Sequence, residues 1–355
     1  MPNSDHPIKV LVIDDSALMR DIIKTGLAAD EGIEVVGAAP DPLVARQLIK
    51  QLNPDVITLD IEMPGMHGLD FLEKVMTLRP MPVVMVSTLT RAGAEATIEA
   101  LEIGAMDWVM KPGSSDGRDL LPGGHVVATF QAEIVEKVKN AARSRVRPRP
   151  HAAARPPQPA LSGAKWLAGN GKLIAVGASM GGVEAVREIL IALPAESPPI
   201  LVTQHMPETF TATFAARLNR DSRLTVVEAQ DNMPIRPGHV YLAPGGRHLN
   251  IVRSAPGFAC HVFRGEPVSG HRPSVDSMFA SFAKAVGGRA KGVILTGMGR
   301  DGAQGLKAMR DAGAETAGQN EASCVVYGMP KAARLLGAVE RELPLDRIAG
   351  WILAE

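Results

Sequence analysis

Short apolar runs recur along the chain, each followed by a longer stretch whose apolar residues return at helical spacing. In the first part the runs are Ile8–Ile13, Val56–Leu59, Val83–Val86 and Met106–Met110. Short, apolar and often β-branched, they predict buried strands, and the segments between them predict helices. The same alternation returns further on. Lys172–Val176 and Ile200–Thr203 predict strands, and Val183–Leu193 and Thr209–Asn219 predict helices. Leu224–Val227, His239–Leu242, Leu249–Val252 and Cys260–Phe263 predict shorter strands, with hairpin turns placed around Pro244-Gly245-Gly246. Ser274–Val286 reads as a helix capped by Ser274, Val293–Leu295 as a buried strand, and Gly302–Ala312 as a helix. The pattern is α/β in both halves, with an antiparallel excursion in the second.

The two halves are separated by a change of composition. Between about Ala141 and Gly171 the chain carries Arg143, Arg145, Arg147, Arg149 and Arg155 among Pro, Ala and Gly, with no Asp or Glu. Pro and unbalanced charge disfavour a packed core, so this stretch reads as a linker, either solvated or offering an anionic docking patch. The expected organisation is therefore residues 1–140, a linker at 141–171, and residues 172–355. Gly113–Gly124 reads as a long loop before the last helix of the first domain. The formal net charge is zero, which removes any bulk field for nucleic acid or a membrane surface. The only cysteines, Cys260 and Cys324, make no disulfide framework, and a reducing cytoplasm suits them. No basic leader precedes Ile8, and no apolar run approaches the roughly 18 residues that a membrane span needs.

Polar residues stand at the ends of the predicted strands. Asp14-Asp15, Asp60, Ser87-Thr88 and Lys111 each follow one in the first domain. In a parallel doubly wound sheet such residues gather at one edge, where ligands bind. An isolated Asp-Asp pair fits a solvated loop or a helix cap equally well. Three carboxylates together cannot all stay ionised in dry surroundings without a cation, and oxygen donors favour a hard ion such as Mg²⁺. With a hydroxyl pair and an ammonium beside them, the set suits binding and transfer of a phosphoryl group.

In the second domain, Gly177-Ala178-Ser179-Met180-Gly181-Gly182 joins a strand to a helix, a turn that leaves the Ser179 hydroxyl projecting. His205 follows the next strand, and Asp301 follows Val293–Leu295 after the glycine-rich turn around Met298. If the three strands are neighbours, a nucleophile, a general base and the carboxylate that orients that base meet at one edge. Each residue also has a plain structural reading. A glycine-rich turn often binds phosphate, most histidines are surface or core residues, and Asp301 fits an N-cap for Gly302–Ala312. The order Ser, His, Asp differs from the Ser, Asp, His order of α/β-hydrolases, which argues against a lipase-like fold.

Two resemblances sharpen these readings. Residues 8 to about 140 resemble the receiver domain of two-component response regulators, through Asp14-Asp15, Leu59-Asp60-Ile61-Glu62-Met63-Pro64, Ser87 and Lys111-Pro112. This implies a flavodoxin-like, five-stranded parallel doubly wound sheet, with Asp60 accepting phosphate from a histidine kinase. It further implies Mg²⁺ held by Asp15, Asp60 and the Glu62 carbonyl with help from Asp14, phosphoryl contacts from Lys111 and Ser87, and Trp108 as an aromatic switch. Residues 172 to about 352 resemble the chemotaxis protein-glutamate methylesterases, the CheB family. The carriers are GASMGG (177–182), QHMP (204–207), APGGRH (243–248), HRPSVDSMF (271–279), GVILTGMGRDGAQGL (292–306) and QNEASCVVYGMPKAA (319–333). The implied fold is a doubly wound α/β domain with a small antiparallel hairpin. The implied triad is Ser179, His205 and Asp301, with the Met298 backbone N–H as oxyanion donor and no cofactor. Met180 stands where that family commonly has Thr. The implied activity is hydrolysis of glutamyl methyl esters, and deamidation of glutamine, on methyl-accepting chemotaxis receptors. The receiver is expected to cover the esterase site until phosphorylated. Such a protein is cytoplasmic and meets the membrane only through its receptors, without nucleic acid. A receiver-linked adaptor or a nucleotide-binding module without hydrolytic activity is the competing expectation.

Overall fold

The computed structural model describes residues 6–63, 66–88, 90–113, 124–144 and 171–354. Pro64, most of the Gly113–Gly124 loop and most of the arginine-rich linker lie outside the described residues. The chain divides into two compact units, Met1–Ala152 and Ala153–Glu355.

The first unit runs β1 (Ile8–Ile13), α1 (Ala17–Ala28), β2 (Ile33–Ala39), α2 (Pro42–Leu52), β3 (Val56–Asp60), α3 (Gly68–Leu78), β4 (Val83–Ser87), α4 (Arg91–Ile103), β5 (Asp107–Met110) and α5 (His125–Arg143). All pairs in its sheet are parallel, in the order β2-β1-β3-β4-β5. The four runs named from the sequence are β1, β3, β4 and β5. The fifth strand, β2, was not among them; it lies at the sheet edge and is only partly buried, so its apolar signal is weak. Helix starts follow their capping chemistry: Ser16 accepts from Met19 N, Asp41 from Leu43 N and Val44 N before Pro42, and Thr90 from Gly93 N. Helix α5 continues to Arg143, beyond the expected boundary at 140.

The second unit runs β6 (Leu173–Ala178), α6 (Gly182–Ala192), β7 (Ile200–Gln204), α7 (Glu208–Asp221), β8 (Thr225–Glu228), β9 (His239–Leu242), β10 (His248–Ser254), β11 (Gly257–Phe263), α8 (Val275–Ala285), β12 (Ala290–Ile294), α9 (Ala303–Asp311), β13 (Glu315–Gln319), α10 (Met329–Leu335), β14 (Arg341–Leu343) and α11 (Leu345–Leu353). Its seven-stranded sheet is parallel throughout, in the order β14-β13-β12-β6-β7-β9-β8. The hairpin is β10–β11, and it turns at Ala255-Pro256. Pro244-Gly245-Gly246 instead connects β9 to β10, so the hairpin placed there by the turn residues is corrected: β9 pairs in parallel with β7 and β8. Strands β13 and β14 were not predicted, because a sequence such as Glu-Thr-Ala-Gly-Gln carries little apolar or β-branched signal. Among the described residues no helix is long and apolar enough to cross a membrane.

A core of Tyr241, Phe279, Phe282, Met278 and Leu306 packs α8, α9 and the hairpin against the sheet. Lys291 is an exception within β12: it is fully buried. Its ammonium caps the end of α11, donating to Trp351 O at 2.9 Å and Ala354 O at 2.6 Å, and lies 4.8 Å from the Trp351 ring centroid. Burial, with the charges of Lys172 and Arg341, pulls it down to about 8. The unfolded chain therefore binds more protons than the native one between about pH 8 and the ordinary lysine value of 10.5, and this group makes stability rise with pH across that window. Lys291→Ala is expected to lower unfolding free energy by about 2–4 kcal/mol, through lost hydrogen bonds and a new cavity, and to remove that rise; denaturant titrations at pH 8 and pH 10 measure both effects.

Candidate active site and acidic pocket

Both sheets reverse their strand order at one point, and the polar strand-end residues gather there. In the second unit the reversal lies at β6, with β12 on one side and β7 on the other. Ala178 pairs with Gln204, and His205 N donates to Ala178 O at 3.1 Å, so Ser179 and His205 leave adjacent strands at one level. Ser179 N donates to Thr296 O at 3.1 Å, which fixes the turn after β6 to the loop after β12. Gln204 Nε2 reaches both carbonyls, Ser179 O at 2.9 Å and His205 O at 3.2 Å.

Asp301 is buried and accepts four hydrogen bonds. Ser274 Oγ donates to Oδ1 at 2.8 Å, Asp276 N to Oδ1 at 3.0 Å, Val275 N to Oδ2 at 2.7 Å, and His205 Nε2 meets Oδ2 at 2.7 Å. The carboxylate thus sits on the N-terminus of α8, where orphan N–H groups and the helix dipole favour a negative charge. Burial alone would raise its pKa, but the His205 and backbone bonds prevail and lower it. The expectation that Asp301 caps the following helix is corrected: Gly302 holds the N-cap position of α9 with a φ of 89°, and the carboxylate caps α8 instead.

With Nε2 committed to Asp301, Nδ1 is the ring nitrogen left over, and it is buried without a partner. Ser179 Oγ makes no hydrogen bond to it in this structure. The geometry therefore joins His205 to Asp301 directly and sets Ser179 on the neighbouring strand end. Catalytic contacts are commonly looser before substrate binds.

Gly297 explains how close the loop after β12 comes. A Cβ there would lie 2.8 Å from Ser179 Cβ and 2.3 Å from Met329 Sδ, so any side chain would push the loop off the serine. The next residue, Met298, offers a backbone N–H that donates to no protein acceptor among the described residues. The Met180 side chain is buried, and its carbonyl accepts from Thr296 Oγ1 at 3.0 Å. A residue that sequence reasoning gave no role, His271, stacks on His205 with ring centroids 3.8 Å apart.

In the first unit Asp14, Asp15 and Asp60 each place a carboxylate oxygen within 4.8 Å of the others. Lys111 lies 3.0 Å from Asp14 Oδ2 and 2.8 Å from Asp60 Oδ2. These are ionic contacts without hydrogen-bond direction, and both oxygens are otherwise unpartnered. Burial, then the Asp14 charge, pushes Asp60 up to about 6, and burial raises Asp14 as well. One ammonium among three carboxylates leaves negative charge uncompensated, and an oxygen-only donor set of this kind fits a hard divalent cation. Glu62 follows on the same loop, its N–H 3.3 Å from Asp60 Oδ1. Ser87 Oγ is engaged by α4, donating to Gly93 O at 3.2 Å and accepting from Thr97 Oγ1 at 2.8 Å. Trp108 is buried in β5, with Lys137 Nζ 5.0 Å from its ring centroid.

The family model described as CheB methylesterase matches residues 174–352, and that of the response regulator receiver domain matches residues 10–119. A protein-glutamate methylesterase/protein-glutamine glutaminase 1 of Caulobacter vibrioides is 58% identical over 347 residues, covering 98% of this chain and 97% of the relative. One from Rhizobium johnstonii is 55% identical over 350 residues, covering 98% and 96%. The crystal structure of the Thermotoga maritima CheB methylesterase catalytic domain is 35% identical with a TM-score of 0.51, covering 52% of this chain and 97% of that one. Matched at residues 174–352 by the family model, and along nearly its full length by these relatives, the chain belongs to the CheB methylesterase family in its receiver-linked form.

Proposed function

We propose that this chain hydrolyses glutamate γ-methyl esters, and deamidates glutamine side chains, on methyl-accepting chemotaxis receptors, with Ser179, His205 and Asp301 as its catalytic triad. The observation that carries the reading is the 2.7 Å bond from His205 Nε2 to a carboxylate anchored on a helix end, which leaves Nδ1 as a base beside the Ser179 strand. In the first step Ser179 Oγ attacks the ester carbonyl while Nδ1 takes the hydroxyl proton. The C–OCH₃ bond then breaks, the imidazolium gives that proton to the leaving oxygen, and methanol departs. Water adds to the acyl-serine with His205 again as base, freeing the glutamate and restoring Ser179. The Met298 N–H donates to the oxyanion at both stages. A side-chain amide follows the same route with ammonia leaving.

Asp60 is the phosphoacceptor in this reading. Its carboxylate oxygen attacks the phosphorus of a phosphohistidine on a partner kinase as the N–P bond breaks. Asp14, Asp15, Asp60 and the Glu62 carbonyl are the residues that would hold Mg²⁺, which supplies charge neutralisation for the phosphoryl oxygens. Lys111 pairs with those oxygens, and Ser87 exchanges its bonds to α4 for one of them. Two added charges at this strand end reset α4 and the neighbourhood of Trp108, and that rearrangement releases the esterase from restraint by the receiver. The kinase and the receptor tips place the protein in the cytoplasm.

Ser179→Ala is expected to lower methanol release from methylated receptor by at least about a thousandfold while receptor binding persists; turnover near wild type would refute the nucleophile. Asp60→Asn is expected to take up no label from acetyl phosphate, while basal ester hydrolysis in the same preparation stays within about twofold of wild type, since the chemistry of the two sites is separate. Labelled Asn protein would point to another acceptor.

A further inference from the structure

A second imidazole lies against the catalytic pair. His271 is parallel to His205, with centroids 3.8 Å apart and planes 13° from coplanar. It is held in that place from two directions. Val268 and His271 exchange backbone hydrogen bonds, His271 N to Val268 O at 3.0 Å and Val268 N to His271 O at 3.1 Å, closing a tight loop. Ser269, within that loop, donates from Oγ to Asp276 Oδ2 at 2.8 Å, and Asp276 Oδ1 accepts from Gly305 N at 2.7 Å. Asp276 belongs to the first turn of α8, the turn whose backbone N–H groups bind Asp301. One helix end therefore fixes the carboxylate through its backbone and the His271 loop through a side chain.

An edge bond from Nε2 to Asp301 leaves the His205 ring free to swing about that bond. A flat partner on its face removes this freedom. From this geometry we propose that His271 is a positioning residue for His205, its ring face clamping the imidazole so that Nε2 stays on Asp301 and Nδ1 stays the base. The clamp rests on the triad reading above. Burial, and then the neighbouring His205, lower the His271 pKa, so the ring stays neutral. A neutral ring presents a π face to the imidazolium that forms when Nδ1 takes the serine proton. The clamp needs a flat ring there and no proton transfer by His271.

The test uses the full chain and methanol release from a peptide bearing a glutamate γ-methyl ester. His271→Ala is expected to lower kcat about tenfold or more with KM within about twofold, because misplacing a base costs the transition state rather than substrate binding. His271→Phe keeps a flat ring and is expected to recover kcat to within about threefold. In proton NMR the low-field His205 Nε2–H signal is expected to persist in the Phe variant and to broaden in the Ala variant. Wild-type kcat in folded His271→Ala overturns the proposal. So does a tenfold loss in folded His271→Phe, a result that stands even if the Ala variant fails to fold. Labelling of Ser179 by a fluorophosphonate separates the two layers. An unlabelled, active wild type removes the triad itself, whereas a labelled wild type with indifferent His271 variants removes only the clamp.

Discussion

A single buried carboxylate organises the second unit. Asp301 has lost its water, and an isolated anion in such a place costs several kcal/mol. The fold answers with four donors, of which two are the orphan N–H groups of α8, one is the N-cap hydroxyl of that helix and one is His205. Because three of the four belong to α8, the position of the carboxylate is set by a helix end and not by the histidine. His205 must come to Asp301. That ordering decides which ring nitrogen meets the carboxylate and which is left without a partner. It also ties the site to the sheet: β6, β7 and β12 must be neighbours in this register for the serine turn, the histidine and the Asp301 loop to meet.

The acidic pocket of the first unit is built on the opposite principle. Asp14 and Asp60 are as deeply buried as Asp301, yet their Oδ2 atoms have only ionic contacts with Lys111. The consequence is opposite in sign: the Asp301 pKa is lowered, while those of Asp14 and Asp60 are raised. A carboxylate saturated with donors is a fixed part of a machine. A pair left short of positive charge could hold a cation. Two similar parallel sheets thus support two unlike kinds of site, and the difference lies in how many donors the loops direct at each acid.

Strand ends were legible in the sequence because a buried parallel strand is nearly all apolar, and the first polar residue after it marks the edge. That logic located Asp14, Asp60, Ser87, Lys111, Ser179 and His205. It failed where the local signal is weak or the partner is remote. Edge strands β2 and β14 are short of buried apolar residues, β13 is buried but poor in large apolar ones, and the glycines after β9 look like a hairpin turn when they lead from the parallel sheet into the separate β10–β11 pair. Asp301 reads both as the acid partner of His205 and as a cap for the helix it precedes, and only its contacts, with donors from a helix earlier in the chain, separate the two. His271 opens the motif HRPSVDSMF, yet its partner ring is far off in sequence, and no periodicity reports a stacking contact across that distance.

Space, as well as charge, limits what this site accepts. The loop after β12 approaches the serine so closely that a single added carbon at Gly297 would meet both Ser179 and Met329. Such overlap cannot be absorbed by rotating a flexible side chain, because Ser179 N is itself bonded to the Thr296 carbonyl and Gly297 O accepts from Gly328 N and Met329 N. The closeness has a use. It lets Ser179 N reach the Thr296 carbonyl, which ties the serine turn to the loop after β12. Methionine at position 180 takes part in the same packing. That residue is anchored through its carbonyl to the Thr296 hydroxyl, and its buried side chain contributes volume to the packing behind the turn. The anchor at 180 is a backbone carbonyl, which any residue there would offer to the Thr296 hydroxyl.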